Sequence, residues 1–177
     1  MNAITAVWRR VGQYDINICL RFNRAAHRNG VRRFFAGVSR LGDGVFWYAL
    51  MVAMVVTDGA DGMQVALHMA LVGGVGLAIY KWMKGTFVRP RPFMVVQHIR
   101  LGTAPLDVYS FPSGHTLHAV GFTLVALTYY PVLAWVLIPF ATLVAVSRVI
   151  LGLHYPTDVV AGGAIGAGLA LLSFTLV

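Results

Sequence analysis

Apolar residues run along this chain in solid blocks, not in the alternation of a half-buried strand or the stripe of a soluble amphipathic helix. Five blocks stand out, from about Gly44 to Thr57, Met63 to Trp82, Thr116 to Tyr130, Val132 to Ile150 and Val159 to Val177. Such blocks predict membrane-spanning helices, which need ~20 predominantly apolar residues. The first is short and can be lengthened backward through Leu41 toward Phe34, with Arg40 and Asp43 near the interface. The connections from Asp58 to Asp61 and around Pro131 are so brief that the helices they join form antiparallel hairpins. The fold class expected is all-α, a polytopic membrane bundle of about five spans in one domain. Gly162 and Gly166 stand in GxxxG spacing, repeated by Ala164 and Gly168, which predicts close helix contact in lipid. Pro139 predicts a kink in the fourth span.

The stretch from Met1 to Arg40 has a different character. Eight arginines are spread among Trp8, Ile16, Ile18, Leu20, Phe22, Val31, Phe34 and Phe35. That mixture does not cross a bilayer, but it suits basic amphipathic helices lying on its surface with arginine stems snorkelling toward phosphates. The expected division is therefore an interfacial region, 1–40, followed by a transmembrane bundle, 41–177. Composition agrees: 58% of residues are hydrophobic and 11% charged, against ~25% charged in an ordinary soluble domain. Fourteen Lys and Arg against six Asp leave a net charge of +8. That charge suits an anionic lipid or a phosphorylated substrate, while the hydropathy sets nucleic acid aside. Cys19 is the single cysteine, so no disulfide forms within the chain. The start, MNAITAVWRR, reaches two arginines before any apolar core of signal-peptide length, and no cleavable signal is expected.

Alternation of the spans puts the connections Lys84 to His115 and Ser147 to Asp158 on one side of the membrane, together with the basic N-terminus. On that face stand Lys84 and Arg91 in KGTFVRPRP, Ser113, Gly114 and His115 in FPSGHT, and Arg148, His154 and Asp158 in SRVILGLHYPTD. In residue types this is a phosphate site. Arginine grips phosphoryl oxygens in bidentate fashion, lysine adds a point charge, and backbone N–H groups at a helix start cradle the rest. Cleaving a phosphate ester further needs a nucleophile and a proton for the leaving oxygen. His154 and Asp158 are one helical turn apart. The carboxylate can accept a proton from one imidazole nitrogen and leave the other's lone pair directed at phosphorus, with His115 as the acid. Cations crowding the pocket repel a metal ion, so neither a metal nor any other cofactor is expected.

Three segments carry a family resemblance: K-x6-RP from Lys84 to Pro92, PSGH from Pro112 to His115, and SR-x5-H-x3-D from Ser147 to Asp158. They resemble the three signature motifs of the type 2 phosphatidic acid phosphatase family, which are related to those of the vanadium haloperoxidases. The resemblance covers about the C-terminal half. It implies phosphate binding by Lys84, Arg91, Ser113, Gly114 and Arg148, acid catalysis by His115, and attack by His154 with Asp158 behind it. In the doubled RPRP the six-residue gap selects Arg91, leaving Arg89 to the surface or a substrate headgroup. His118 is read as a neighbour of the site, His68 as a hydrogen bond between helices, and His27, His98 and Asp107 as loop or interface residues.

The implied activity is metal-independent hydrolysis of a lipid phosphomonoester or diphosphate through a phosphohistidine. The implied substrates are polyprenyl diphosphate, phosphatidylglycerol phosphate or phosphatidate, and the bilayer is the other partner. Transfer of phosphate between lipids and a non-enzymatic anionic-lipid-binding bundle are the alternatives. Two indications of sidedness disagree. The family favours an outward-facing site, whereas all fourteen Lys and Arg fall on the site's side of five spans, which by the positive-inside rule puts the site at the cytoplasmic face of the cell membrane.

Overall fold

A computed structural model describes residues 3–176. Met1, Asn2 and Val177, the outer limits of the N-terminal region and of the last apolar block, lie outside them, as do the side chains of residues 3–9, Trp8 among them. The described residues form an all-α bundle: α1 (Ala3–Asn23), α2 (Asn29–Arg40), α3 (Phe46–Asp58), α4 (Ala60–Thr86), a single turn α5 (Pro92–Val95), α6 (Gly114–Tyr129), α7 (Ala134–Ile150) and α8 (Pro156–Ser173).

Among the described residues four helical rods are long and apolar enough to cross a membrane: Asn29–Asp58, Ala60–Thr86, Pro131–Ile150 and Pro156–Ser173. The first reaches back further than Phe34, because α2 runs into α3 through a wide turn at Leu41–Val45. Gly44 takes φ +141° in that turn, a region side chains avoid, and the Tyr48 ring lies where its Cβ would be. The remaining expected span, α6, has sixteen residues, which reach about 24 Å, less than the ~30 Å hydrocarbon core. It is the inner helix, packed on α8, α4 and α7, with eight of its residues buried.

Glycines bring α8 onto α6. A Cβ added at Gly162 would lie 2.4 Å from the Ser113 carbonyl oxygen, and one at Gly166 would lie 2.2 Å from that of Leu117. Larger residues would hold the helices apart. α7 continues through Pro139. A polar cluster inside the bundle ties three helices together: the His68 ring nitrogens meet the Tyr129 hydroxyl at 3.1 Å and the Ser173 hydroxyl at 2.7 Å. The connection between helices expected of His68 is thus present.

Topology then positions the site. The α3–α4 turn at Gly59 and the turn at Pro131–Leu133 occupy one end of the bundle. The connections 87–113 and 151–155 occupy the other, where α1 packs on α7 and α8.

Candidate active site

Three stretches of chain supply the site. α4 ends in Lys84, the extended segment after it carries Arg89 and Arg91, and Pro92 starts the next helical turn because proline suits a first helical position. Ser113 caps α6, with Gly114 and His115 opening it, so the first-turn N–H groups have no partner within the helix. Arg148 lies in the last turn of α7, Gly152 makes the tight reversal at φ +72°, and Tyr155 with Asp158 forms the capping box of α8. Capping is what orients Asp158: its Oδ2 accepts from the Tyr155 N–H at 2.8 Å.

His154 sits at the centre, 1% exposed. Its Nδ1 lies 3.7 Å from Asp158 Oδ2 and makes no hydrogen bond at that separation. On the opposite edge, Nε2 is 3.3 Å from Nη1 of Arg91, which also donates to the Leu153 carbonyl at 2.8 Å. Burial, and then the positive charges of Arg148, Arg91 and Lys84, hold the imidazole well below its ordinary pKa, so it is neutral near pH 7, with its Nε2 lone pair facing the Arg91 guanidinium.

The cations expected to grip phosphate converge here. Lys84 Nζ and Arg91 Nη2 both donate to the same oxygen, Oδ1 of Asp107, at 2.7 and 2.6 Å. Arg148 is buried, bonds the Ser39 hydroxyl, and keeps its Nε without a partner. The Ser113 N–H donates to the Asp158 carbonyl at 3.0 Å, joining the second motif to the third, while its hydroxyl pairs with Thr116 at 3.0 Å. His115 stands apart from this cluster in its bonding. Its Nε2 meets the Asp43 carboxylate, and both residues line a cavity of about 430 Å³ with Gly114, Trp47, Leu77 and Phe122. His118 also borders it, with ring nitrogens facing the Gly114 and Gly73 carbonyls at 2.8 and 3.1 Å.

Several residues carry contacts that the motif reading does not anticipate. Arg89 is half-buried and does more than face the surface. It bridges Asp158 Oδ1 at 2.6 Å and Asp15 Oδ2 at 2.7 Å, with its guanidinium 4.0 Å from the Tyr155 ring centroid. Burial works against its charge, but the two carboxylates win and raise its pKa. Asp107 is no simple loop residue. Burial pushes its carboxyl up, but Lys84 and Arg91 prevail and hold it below the usual range. His27 and His98 are exposed, as expected of loop residues. The sequence offered one signal for Asp15 and Asp43: they are the two carboxylates of the N-terminal half that lie on the basic side. Among the described residues no group of three or more His, Cys, Asp or Glu is placed to hold a metal ion.

The family model of the PAP2 superfamily matches residues 61–177, which contain all three motifs. The chain is 28% identical to an undecaprenyl-diphosphatase of Sulfolobus acidocaldarius, over 87% of this chain and 73% of that protein. It is 31% identical to the undecaprenyl-diphosphatase BcrC of Bacillus subtilis, over 63% of this chain and 58% of that one. Among solved structures, it superposes on a transmembrane PAP2-type phosphatidylglycerolphosphate phosphatase from Bacillus subtilis with TM-score 0.74 and 26% identity, covering 94% of this chain and 86% of that one. The chain belongs to the PAP2 superfamily and is an integral membrane phosphatase.

Proposed function

We propose that the protein hydrolyses the terminal phosphate of a lipid phosphomonoester or diphosphate through a phosphohistidine on His154. The observation that carries this is a buried, neutral imidazole with a carboxylate behind Nδ1 and cations in front of Nε2. In the first step the Nε2 lone pair forms a bond to phosphorus as the bond to the leaving oxygen breaks, and that oxygen takes its proton from His115. Lys84, Arg91, Arg148 and the first-turn N–H groups of α6 hold the equatorial oxygens as charge builds on them. Asp158 offsets the positive charge that develops on the ring. In the second step a water oxygen forms a bond to phosphorus and gives a proton to His115 as the phosphorus–nitrogen bond breaks, its electron pair returns to Nε2 of His154, and inorganic phosphate leaves. Asp43 holds the His115 ring in place for both steps. No metal is required, since the cations already supply the charge that a metal would bring.

The relatives' own substrates include undecaprenyl diphosphate and phosphatidylglycerol phosphate. Those two classes, a polyprenyl diphosphate and phosphatidylglycerol phosphate, are the substrates proposed here. The cavity beside His115, with apolar walls from Trp47, Met51, Leu77 and Phe122, accommodates hydrocarbon next to the reacting phosphate. Detergent-purified protein should release phosphate from one of these lipids in the presence of chelator. His154→Ala should abolish both turnover and a trapped, acid-labile phosphoenzyme. Turnover retained in that variant refutes the nucleophile, and activity that disappears in chelator and returns with a divalent ion refutes the metal-free step.

The boundary expected at residue 40 moves back, because α2 belongs to the rod Asn29–Asp58. We further propose that the part of residues 1–40 that precedes this rod is an interfacial region of the membrane-embedded bundle, and that the site faces the cytoplasm from the cell membrane. Supporting the first, Tyr14, Ile18 and Phe22 form an exposed apolar stripe on α1, next to exposed arginines. Supporting the second, the opposite end carries Asp58 and Asp61, while all fourteen Lys and Arg belong to the site's end. A reporter that works in the cytoplasm, fused after Val177, should stay silent; a cytoplasmic signal refutes this orientation.

A further inference from the structure

Helix α1 precedes the residues matched by the family, 61–177, yet its inward face touches the loop that carries His154. Asp15, Cys19 and Asn23 are spaced four apart, so they share one stripe of the helix, and all three are buried. The Asn23 amide donates to the Ile150 carbonyl at 2.9 Å and the Arg100 carbonyl at 2.8 Å, and its oxygen accepts from the Arg100 N–H. The Cys19 thiol points at the His154 carbonyl, 3.6 Å away. Asp15 accepts from the Thr157 N–H at 3.1 Å, from the Thr157 hydroxyl, and from Arg89 at 2.7 Å. Ile16 and Leu20 pack with Cys19, Ile99, Val149 and Tyr155 in a small core beneath the loop.

The charges in this arrangement have a direction. Asp158, the carboxylate behind His154, is itself paired with Arg89 through Oδ1. Arg89 alone would turn Asp158 into half of a neutral pair and weaken the negative field at the imidazole. Asp15, 2% exposed, supplies a second carboxylate to the same guanidinium. The trio then carries one net negative charge next to Nδ1, where positive charge accumulates on phosphorylation. A buried carboxylate is costly to desolvate, and anchoring α1 to the bundle would need only the uncharged bonds that Asn23 already makes.

We infer that Asp15 is a positioning residue for the reaction, holding Arg89 on Asp158 and offsetting its charge so that Asp158 remains an effective anion for His154. This rests on the phosphohistidine reading above. It assigns α1 a part in turnover that is separate from membrane attachment.

The test uses full-length protein in detergent, with phosphate release from a polyprenyl diphosphate and thermal unfolding measured on each variant. Asp15→Asn should lower kcat by about tenfold to a hundredfold, taking as the scale the loss when outer partners of metal-binding histidines are removed, with KM within about twofold because no phosphate contact changes. Asp15→Asn/Arg89→Gln restores the net charge around Asp158 and leaves no buried cation without a counter-ion. It should recover kcat to within about tenfold of the wild type, and it serves as the readout if the single variant does not fold. A helix anchor would instead lose more activity with each added substitution. Wild-type kcat in Asp15→Asn overturns the inference, as does a double variant no faster than the single one, or inactive where the single does not fold. Wild-type turnover in His154→Ala would overturn the phosphohistidine reading and this inference with it, so the two failures are distinguishable.

Discussion

Gly162→Ala tests whether the contact between α6 and α8 sets the distance between the acid and the nucleophile. The added methyl would sit 2.4 Å from the Ser113 carbonyl oxygen and 3.2 and 3.3 Å from its carbonyl carbon and nitrogen, all backbone atoms that cannot rotate away. Relieving the closest contact requires about 1 Å of separation between the helices. The same place joins the second and third motifs, because the Ser113 N–H donates to the Asp158 carbonyl at 3.0 Å. A shift there moves His115 and Ser113 relative to His154 and Asp158. Overpacking of this kind costs about 1–3 kcal/mol of stability. A 1 Å misplacement of reacting groups costs roughly a hundredfold in rate. The expected variant therefore folds with a lowered melting temperature, binds substrate, and turns over about a hundredfold more slowly. Phosphate release at saturating lipid and thermal unfolding in the same detergent measure both effects. Gly168→Ala, whose methyl meets nothing within 4 Å, is the control and should behave as wild type. Wild-type turnover in Gly162→Ala would refute the claim that this contact sets the catalytic geometry.

Three further outcomes follow from particular contacts. Asp107→Asn removes the charge that now occupies Lys84 and Arg91 through a shared oxygen. A phosphate oxygen competing for those donors then faces an amide in place of a carboxylate, so inorganic phosphate should inhibit roughly fivefold more tightly, about 1 kcal/mol; weaker inhibition would show that Asp107 holds the cations in place instead. His68→Ala breaks two interhelical bonds far from the site and should lower stability by about 1–2 kcal/mol with little change in kcat, which a melting curve and a rate measurement check together. His154, whose pKa is lowered on folding, favours the proton in the unfolded chain below its ordinary value of 6.5. Stability should therefore fall as pH drops below that value toward the folded pKa, with no contribution from His154 above it. His154→Gln should flatten the acid limb of a melting-temperature profile, and an unchanged limb would show that the imidazole is not held neutral.

The motif residues were legible in the sequence because phosphate chemistry restricts both residue type and spacing. Lys84, Arg91, Ser113, Arg148, His154 and Asp158 sit on helix ends and short turns, where local geometry fixes their direction. The spans were legible for a similar reason, since lipid demands long apolar runs. What escaped is whatever depends on a partner distant in sequence. Asp43 reaches His115 across 72 positions and Asp15 reaches Thr157 across 142, with nothing in either segment to announce the other. Spacing within RPRP selects Arg91 for phosphate and leaves Arg89 with no partner that the sequence names. Its function becomes visible only when Asp15 and Asp158 are seen on either side of it. α6 was expected as a span of ordinary length, and it stops short because an inner helix is solvated by its neighbours and need not match the bilayer itself. The N-terminal arginines pointed to the membrane surface, and the exposed face of α1 fits that reading. Its opposite face carries Asp15, Cys19 and Asn23, three small polar residues diluted among apolar neighbours, and it is this face that meets the catalytic loop. On the readings proposed above, α1 serves the membrane with one side and the active site with the other. For this chain the clue was an isolated aspartate inside a basic stretch, where an exposed carboxylate would find lipid phosphates repulsive and a buried one needs a cation to hold.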